Sequence, residues 1–247
     1  MQWHDKGIIL SMRRHGEKAL ILNLFTENHG RHSGVIKPSR KNQGDYEIGT
    51  YVRCQWHARL EQHLGYWALE RISSPLAAII NDSEALCALT ASTSLLDVLM
   101  PLNESHEQLF SAFLKLHLGF KERNWHGAYI EFERALLEAA GFKLDLKHCA
   151  ATGQKDDLAY VSPKSGRAVS FEAGKPYEKK LLRLPVYFLK SKTVQNALSI
   201  LELVEALELI EYFLERYALE IHGLKMPMAR QRLKKVLAER VEHQRLA

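Results

Sequence analysis

The chain has 247 residues, 46% hydrophobic and 26% charged. That balance excludes a disordered polypeptide and supplies enough apolar mass for one or two compact domains. The net charge is a modest +5. No stretch approaches the ~18 consecutive apolar residues of a membrane-spanning helix, and Met1-Gln-Trp-His-Asp-Lys6 lacks the basic and then apolar opening of a secretory signal. Cys54, Cys87 and Cys149 include no C-x-x-C pair, which argues against a disulfide framework or a four-cysteine metal site and makes the cytoplasm the expected compartment.

Residues 1 to about 72 read as β-structure. Gly7–Met12, Ala19–Phe25, His32–Lys37 and Gly65–Ile72 have the length and composition of strands, with Gly16, Gly30, Gly44 and Gly65 as punctuation. The clearest is Val52–Leu60. Val52, Cys54, Trp56, Ala58 and Leu60 alternate there with Arg53, Gln55, His57 and Arg59, the period of a half-buried antiparallel strand. Ala19–Phe25 is apolar on nearly both faces. Five short strands in about 70 residues predict a small barrel, and the five-stranded OB-fold is the common solution of that size.

After Pro75 the pattern turns helical. Asn81-Asp-Ser83 offers caps for a helix running to Met100, stopped by Pro101. Leu109, Phe113, Leu116 and Phe120, then Tyr129, Phe132, Leu136 and Ala140, recur at helical spacing, and Gly141 fits the left-handed position past a helix end. Ala159–Val161 and Arg167–Phe171, joined by Ser162-Pro-Lys-Ser-Gly166, read as a hairpin inside a β insertion at about 145–186. Thr193 is the expected cap of a long helix reaching about Leu219, and Pro227 opens a last helix. The expected class is therefore α+β. Residues 1–76 form the barrel domain and residues 77–247 an all-helical domain interrupted by the insertion.

Charge is sorted along the chain. Residues 29–44 carry a net +4, residues 175–192 a net +5 and residues 223–247 a net +5, which leaves −9 for everything else. Such sorting lets one surface face a polyanion.

Signatures of catalysis are missing. No G-x-G-x-x-G, Gly-Lys-Ser/Thr or G-x-S-x-G is present, and His106-Glu107 has no second histidine to complete H-E-x-x-H. His29 and His32 flank a turn and are expected to be an exposed loop pair. His148-Cys149 could imitate a catalytic dyad only with a geometry that adjacent residues rarely reach. The expectation is a binding protein and not an enzyme. Two other readings stay open: an RNA-binding OB-fold protein and a hydrolase built from dispersed histidines and acids.

Three ordered blocks carry a resemblance. The first is Arg14-His-Gly-Glu17, Leu24-Phe-Thr-Glu27, Gly30-Arg31 and Val35-Ile-Lys37, followed by Arg40-Lys41. The second is Phe132-Glu-Arg-Ala-Leu-Leu137, Gly141-Phe142, His148-Cys-Ala-Ala-Thr-Gly153, Tyr160-Val-Ser-Pro163 and Gly166. The third is the basic segment Gly223–Arg232. With these the chain resembles the bacterial RecO family of DNA repair proteins. The resemblance implies an N-terminal OB-fold followed by a helical domain with a zinc-ribbon-like insertion. It also implies binding of single- and double-stranded DNA, annealing of complementary strands, and loading of RecA on strands coated with single-strand-binding protein, together with RecR in the RecF pathway. The implied location is cytoplasmic and nucleoid-associated.

For DNA the expected contacts are Arg13, Arg14, Arg31, Lys37, Arg40 and Lys41 in or beside barrel loops, and Arg53 and Arg59 on the polar face of the long strand. Tyr46 and Tyr51 are expected stacking platforms, and Trp56 is assigned to the core. For the acidic tail of single-strand-binding protein the resemblance suggests Phe132 and Arg134, with Lys225 and Arg230 for its carboxylates. Family members often carry two C-x-x-C pairs in the insertion. The matching positions here are Cys149, Thr152, Ser170 and Ala173. Cys149 is a lone remnant and one thiolate cannot hold a tetrahedral zinc, so no cofactor is expected.

Overall fold

The computed structural model describes residues 1–37, 46–60, 64–190 and 198–246. Five strands form a closed barrel: β1 (Gln2–His15), β2 (Ala19–Thr26), β3 (Gly30–Ile36), β4 (Tyr51–His57) and β5 (Gly65–Ser73), in the order β1-β2-β3-β5-β4. All neighbours are antiparallel except β3 and β5, which close the barrel through the parallel pairs Gly34–Gly65 and Val35–Tyr66. This is the OB-fold expected from the strand spacing.

The period-two reading of β4 holds for Val52, Cys54, Trp56 and Ala58, which are buried, with Arg53 and His57 exposed. It fails at Leu60, which is 56% exposed because the strand ends at His57. Ile9, Leu22, Leu24, Val52, Cys54, Trp56 and Trp67 fill the barrel interior, with Trp3 packed against them. The tryptophans also satisfy their polar atoms: Trp56 donates to the Ser33 carbonyl at 3.1 Å and Trp67 to that of Leu22 at 3.2 Å. Their bulk explains the glycines at the closure. A Cβ on Gly65 would lie 2.3 Å from the Trp56 indole, and one on Gly34 2.7 Å from that of Trp67. The double-faced apolarity of β2 has a cause as well. Leu22 and Leu24 face the interior, while Phe25, also buried, meets Phe110 with ring centroids 5.9 Å apart.

Phe110 belongs to the helices after the barrel: α1 (Leu76–Ile79), α2 (Ser83–Leu99), α3 (Glu107–Lys121) and α4 (His126–Ala139). Asp82 is the cap of α2, accepting from the backbone of Glu84 and Ala85. The chain divides into two compact units, one of Met1–Tyr129 with Pro227–Leu233 and the other of Ile130–Met226 with Lys234–Ala247. The texture change near residue 76 is thus a change of secondary structure, and α1–α3 group with the barrel.

In the second unit, β6 (Leu158–Val161), β7 (Ala168–Ser170) and β8 (Leu182–Arg183) make a small sheet of order β7-β6-β8. This is the expected β insertion, and the predicted hairpin is its β6–β7 pair, closed by hydrogen bonds from Ser162 to Arg167 and from Gly166 to Ser162. A helical turn α5 (Phe171–Gly174) and a 3₁₀ turn (Lys175–Lys180) link β7 to β8. The long helix α6 spans Ile200–Leu214 and runs on through single π and 3₁₀ turns to His222, ending at Gly223 with φ of 65°. Its cap is Ser199, in a reciprocal capping box with Glu202. The expected cap, Thr193, lies outside the described residues. The last helix, α7 (Met228–Leu246), follows Pro227 as predicted.

Candidate nucleic-acid interface

Strand register decides which barrel cations meet. Arg14 lies opposite Leu20, and Leu20 opposite Ile36. The tip of the β1–β2 hairpin, with Arg13 and Arg14, therefore shares one barrel end with Lys37. Val35 pairs with Tyr66, which sets Tyr66 beside Lys37. His57 pairs with Tyr66 but also with Gln2, and Ala58 hydrogen-bonds to Met1, so Arg59 lies by the start of β1, away from Arg13 and Arg14. Arg13, Arg14, Lys37, Arg59 and Tyr66 are all exposed. Lys37 and Tyr66 border an open groove floored by Ile36, Tyr46, Trp67 and Leu69.

Other expected contacts are differently employed. Arg31 is a correction. Its Nε donates to the Met100 carbonyl at 2.8 Å and its Nη1 to Asp97 at 3.1 Å. Asp97 also receives Asn23 at 3.0 Å. Arg31 thus ties the β2–β3 turn to the end of α2 and its charge is met inside the unit. Arg53 is exposed but bridges to Glu70 at 2.5 Å across the β4–β5 ladder. Arg40 and Lys41 lie outside the described residues. Tyr46 is buried in the barrel core and Tyr51 is half-buried. The exposed ring is Tyr66, at 58%. Nothing local in the sequence marks Tyr66 as the exposed ring, since its strand, Gly65–Ser73, lacks a clean alternation.

His29 and His32 are not an exposed loop pair. His32 is buried, and His29 stacks on Trp3 with centroids 4.0 Å apart. Asp5 accepts from the His29 ring at 2.8 Å and from the Asn28 and Lys6 amides. Burial pushes the Asp5 carboxyl up, but these hydrogen bonds outweigh it and hold it below its ordinary range. Burial brings His32 down to about 4, and burial with Lys121 does the same to His117, whose Nε2 meets the Ser73 hydroxyl at 2.9 Å. These groups knit the barrel together.

The tail-binding candidates also scatter. Phe132 is fully buried, Arg230 is 1% exposed and has partners of its own, and Lys225 is exposed. Arg134 pairs with Glu131 at 2.6 Å, and Glu131 also accepts the Tyr187 hydroxyl at 3.3 Å. Burial and that carboxylate push the Tyr187 phenol up. Phe132 and Arg230 are therefore corrected to core positions, which leaves Arg134 and Lys225 within reach of solvent.

The insertion tests the zinc idea on its own donors. Cys149 Sγ lies 3.4 Å from the Ser170 hydroxyl and accepts the Ser170 amide at 3.3 Å. Thr152 donates to it as well. Three of the four matched positions thus converge, but as one sulfur and two hydroxyls, a set that does not fit zinc. Burial pushes the Cys149 thiol up, yet the hydrogen bonds from Ser170 and Thr152 outweigh it and bring it down to about 6. His148 is not among its partners. Among the described residues no group of three or more His, Cys, Asp or Glu side chains is placed to hold a metal ion, and no helix is long and apolar enough to cross a membrane.

Comparison with known proteins agrees with this architecture. Residues 1–73 match the family model for the recombination protein O N terminus, and residues 80–225 that for its C terminus. The chain is 41% identical over 236 residues to the DNA repair protein RecO of Rhodospirillum centenum, covering 94% of this chain and 93% of that one. It is 38% identical over 241 residues to that of Rhodospirillum rubrum, covering 94% of each. It is 39% identical over 245 residues to that of Roseobacter denitrificans, covering 98% of this chain and all of the relative. The chain belongs to the RecO family of DNA repair proteins.

Proposed function

We propose that the protein is a recombination mediator that binds DNA at the barrel end carrying Arg13, Arg14, Lys37 and Tyr66 and anneals complementary strands. The observation that carries this reading is the convergence there of three exposed cations with no ion partner among the described residues, beside an exposed ring. Each cation that meets a phosphate releases a counterion. Tyr66 offers a π face to an unpaired base. A strand whose charge is screened in this way repels its complement less, so bases pair without any bond-making residue, and no nucleotide is consumed. Arg59 lies by the start of β1, apart from this surface, and Arg53 contributes less because Glu70 already meets it.

Loading of RecA on strands coated with single-strand-binding protein, with RecR as co-mediator, is part of the same proposal and is supported by family membership. Arg134 and Lys225 are the retained contacts for the acidic tail. The site of action is the cytoplasm, at the nucleoid.

The test is the Arg13→Ala/Arg14→Ala/Lys37→Ala chain, titrated with a fluorescent single strand across salt. Loss of three phosphate contacts flattens the log–log slope by roughly 2 and slows annealing, with the circular dichroism unchanged. Unaltered affinity and slope would remove this site. Tighter binding of an RNA strand of the same sequence would replace DNA as the ligand.

A further inference from the structure

A ridge in the second unit combines rings and cations in another way. It runs from α5 through the 3₁₀ turn to β8. Its backbone is anchored from beneath: Gly174 is buried, and a Cβ there would lie 2.4 Å from the Tyr160 ring. Tyr160 stacks on Phe171 with centroids 6.3 Å apart and planes 14° from parallel. Pro176 stiffens the 3₁₀ turn, and Arg183 sits on β8, an edge of the small sheet, opposite Tyr160. With the backbone held, the side chains point outward. Tyr177 is 61% and Phe171 40% exposed. Lys175, Lys179, Lys180 and Arg183 are exposed, and none of them has an ion partner among the described residues. Lys175 holds its ammonium 5.5 Å from the Phe171 centroid. Glu172 and Glu178 are the acids of the segment, so cations outnumber acids two to one.

The pairing of rings with unmatched cations selects the ligand. An acidic peptide would use the charges and leave Tyr177 idle. A duplex keeps its bases stacked on each other and also leaves the ring idle. A single strand uses both, with bases on the π faces and phosphates on the ammonium and guanidinium groups. We propose that the ridge Phe171–Arg183 is a second single-strand-binding surface, distinct from the barrel end. This rests on the reading of the protein as one that handles single strands, and it gives the second strand of an annealing pair a seat of its own.

The experiment uses the full chain and a fluorescein-labelled 30-nucleotide oligothymidine. Tyr177→Ala, Tyr177→Phe and Lys179→Ala/Lys180→Ala are each made in the parent and in the Arg13→Ala/Arg14→Ala/Lys37→Ala background. In the barrel-substituted background, Tyr177→Ala weakens the remaining single-strand affinity about tenfold, the scale of one lost base stack. Tyr177→Phe retains it, and a 30-base-pair duplex binds both alike. The double lysine substitution lowers the magnitude of the salt slope by roughly 1.4. A 5-iodouracil strand crosslinks to the peptide containing Tyr177. If Tyr177→Ala binds like its parent in both backgrounds, or if duplex affinity falls in step with single-strand affinity, the ridge is not such a surface. If the barrel triple substitution changes nothing while the ridge variants lose binding, the barrel assignment fails and the ridge stands.

Discussion

The barrel and the small sheet of the insertion are both β-structures, but they hold themselves together in different ways. The barrel closes on itself, so no ladder edge is left open, and its interior is filled by Trp56, Trp67 and the aliphatic residues around them. The sheet has strands of four, three and two residues and does not close on itself, so β6 and β7 are buried by neighbouring elements and not by their own sheet. It depends on a few particular contacts: Gly174 against Tyr160, Phe142 against Phe213 and Tyr217, and Cys149 against Ser170. A closed, filled barrel can carry solvent-facing charge at little cost to its fold, which suits a surface meant for a polyanion. An open sheet gains its rigidity locally, and its ridge of rings and cations is only as firm as those contacts.

The largest effect comes from crowding the two structures in the same way. Gly65→Ala places a methyl group 2.3 Å from Trp56 at the barrel closure, where ring and backbone are fixed on all sides. It should cost about 3 kcal/mol or more, read as a lower urea midpoint by tryptophan fluorescence. Gly174→Ala makes a similar clash at 2.4 Å with Tyr160, but the open sheet can shift the ring. Its cost should be smaller, and equal losses would break the contrast between the two structures.

Next comes the distinction between cations that build and cations that bind. Arg31→Met leaves the Met100 carbonyl and Asp97 short of a partner. It should lose about 2–3 kcal/mol of stability while a single strand binds as before, once the chain is refolded at low urea. Arg13→Ala/Arg14→Ala should do the reverse, with stability within about 0.5 kcal/mol and weaker binding. A variant at Arg31 that keeps its stability and loses DNA would return that residue to the interface.

This distinction marks where the sequence stops being legible. Alternation placed β4 and its core face, since burial of every second residue leaves its mark on composition. Asn81-Asp-Ser83 and Gly141 are likewise legible as helix ends, because caps are chosen by local backbone geometry; Asp82 is the one of the three that caps α2, and Gly141 adopts a φ of 95°. Partnership is another matter. Arg31 meets Asp97 across 66 positions, and no local pattern shows which arginine finds an acid. Tyr46 and Tyr66 look alike in the chain, yet one fills the barrel and the other faces water. Only the closure of β3 on β5 decides between them. Phe132 follows the same rule: its helical spacing predicts the buried stripe in which it is found.

Acid should weaken the barrel first. His32 and His117 are held near pKa 4 when folded and titrate near the ordinary value of about 6.5 when unfolded. Between these values the unfolded chain binds about two more protons, so stability falls as pH drops from 6.5 toward 4. The fall from pH 6.5 to 5.5 should be of order 2 kcal/mol in sum. Replacing His32 and His117 by Gln should flatten this profile in urea titrations followed at the tryptophans. An unchanged profile would place the acid sensitivity elsewhere.

The smallest effect belongs to the insertion and has the opposite chemistry. Cys149 is held near 6 by Ser170 and Thr152, below the thiol's ordinary value of about 8.5. A depressed acid stabilises the fold above its unfolded pKa, and that contribution is lost as pH falls through the folded one. The insertion should therefore loosen between about pH 9 and pH 6, a window that lies mostly above the one in which the barrel histidines act. Amide exchange at Ser170, whose N–H donates to the sulfur, reports this directly, once corrected for the intrinsic rate. Cys149→Ala removes the acceptor and should abolish the pH dependence while raising exchange at every pH. Cys149→Ser, with a hydroxyl that stays protonated, should keep part of the protection and none of the pH dependence. Exchange at Ser170 that follows pH equally in all three chains would mean the thiolate does not hold the sheet, and that packing against Phe142 and Tyr160 is sufficient.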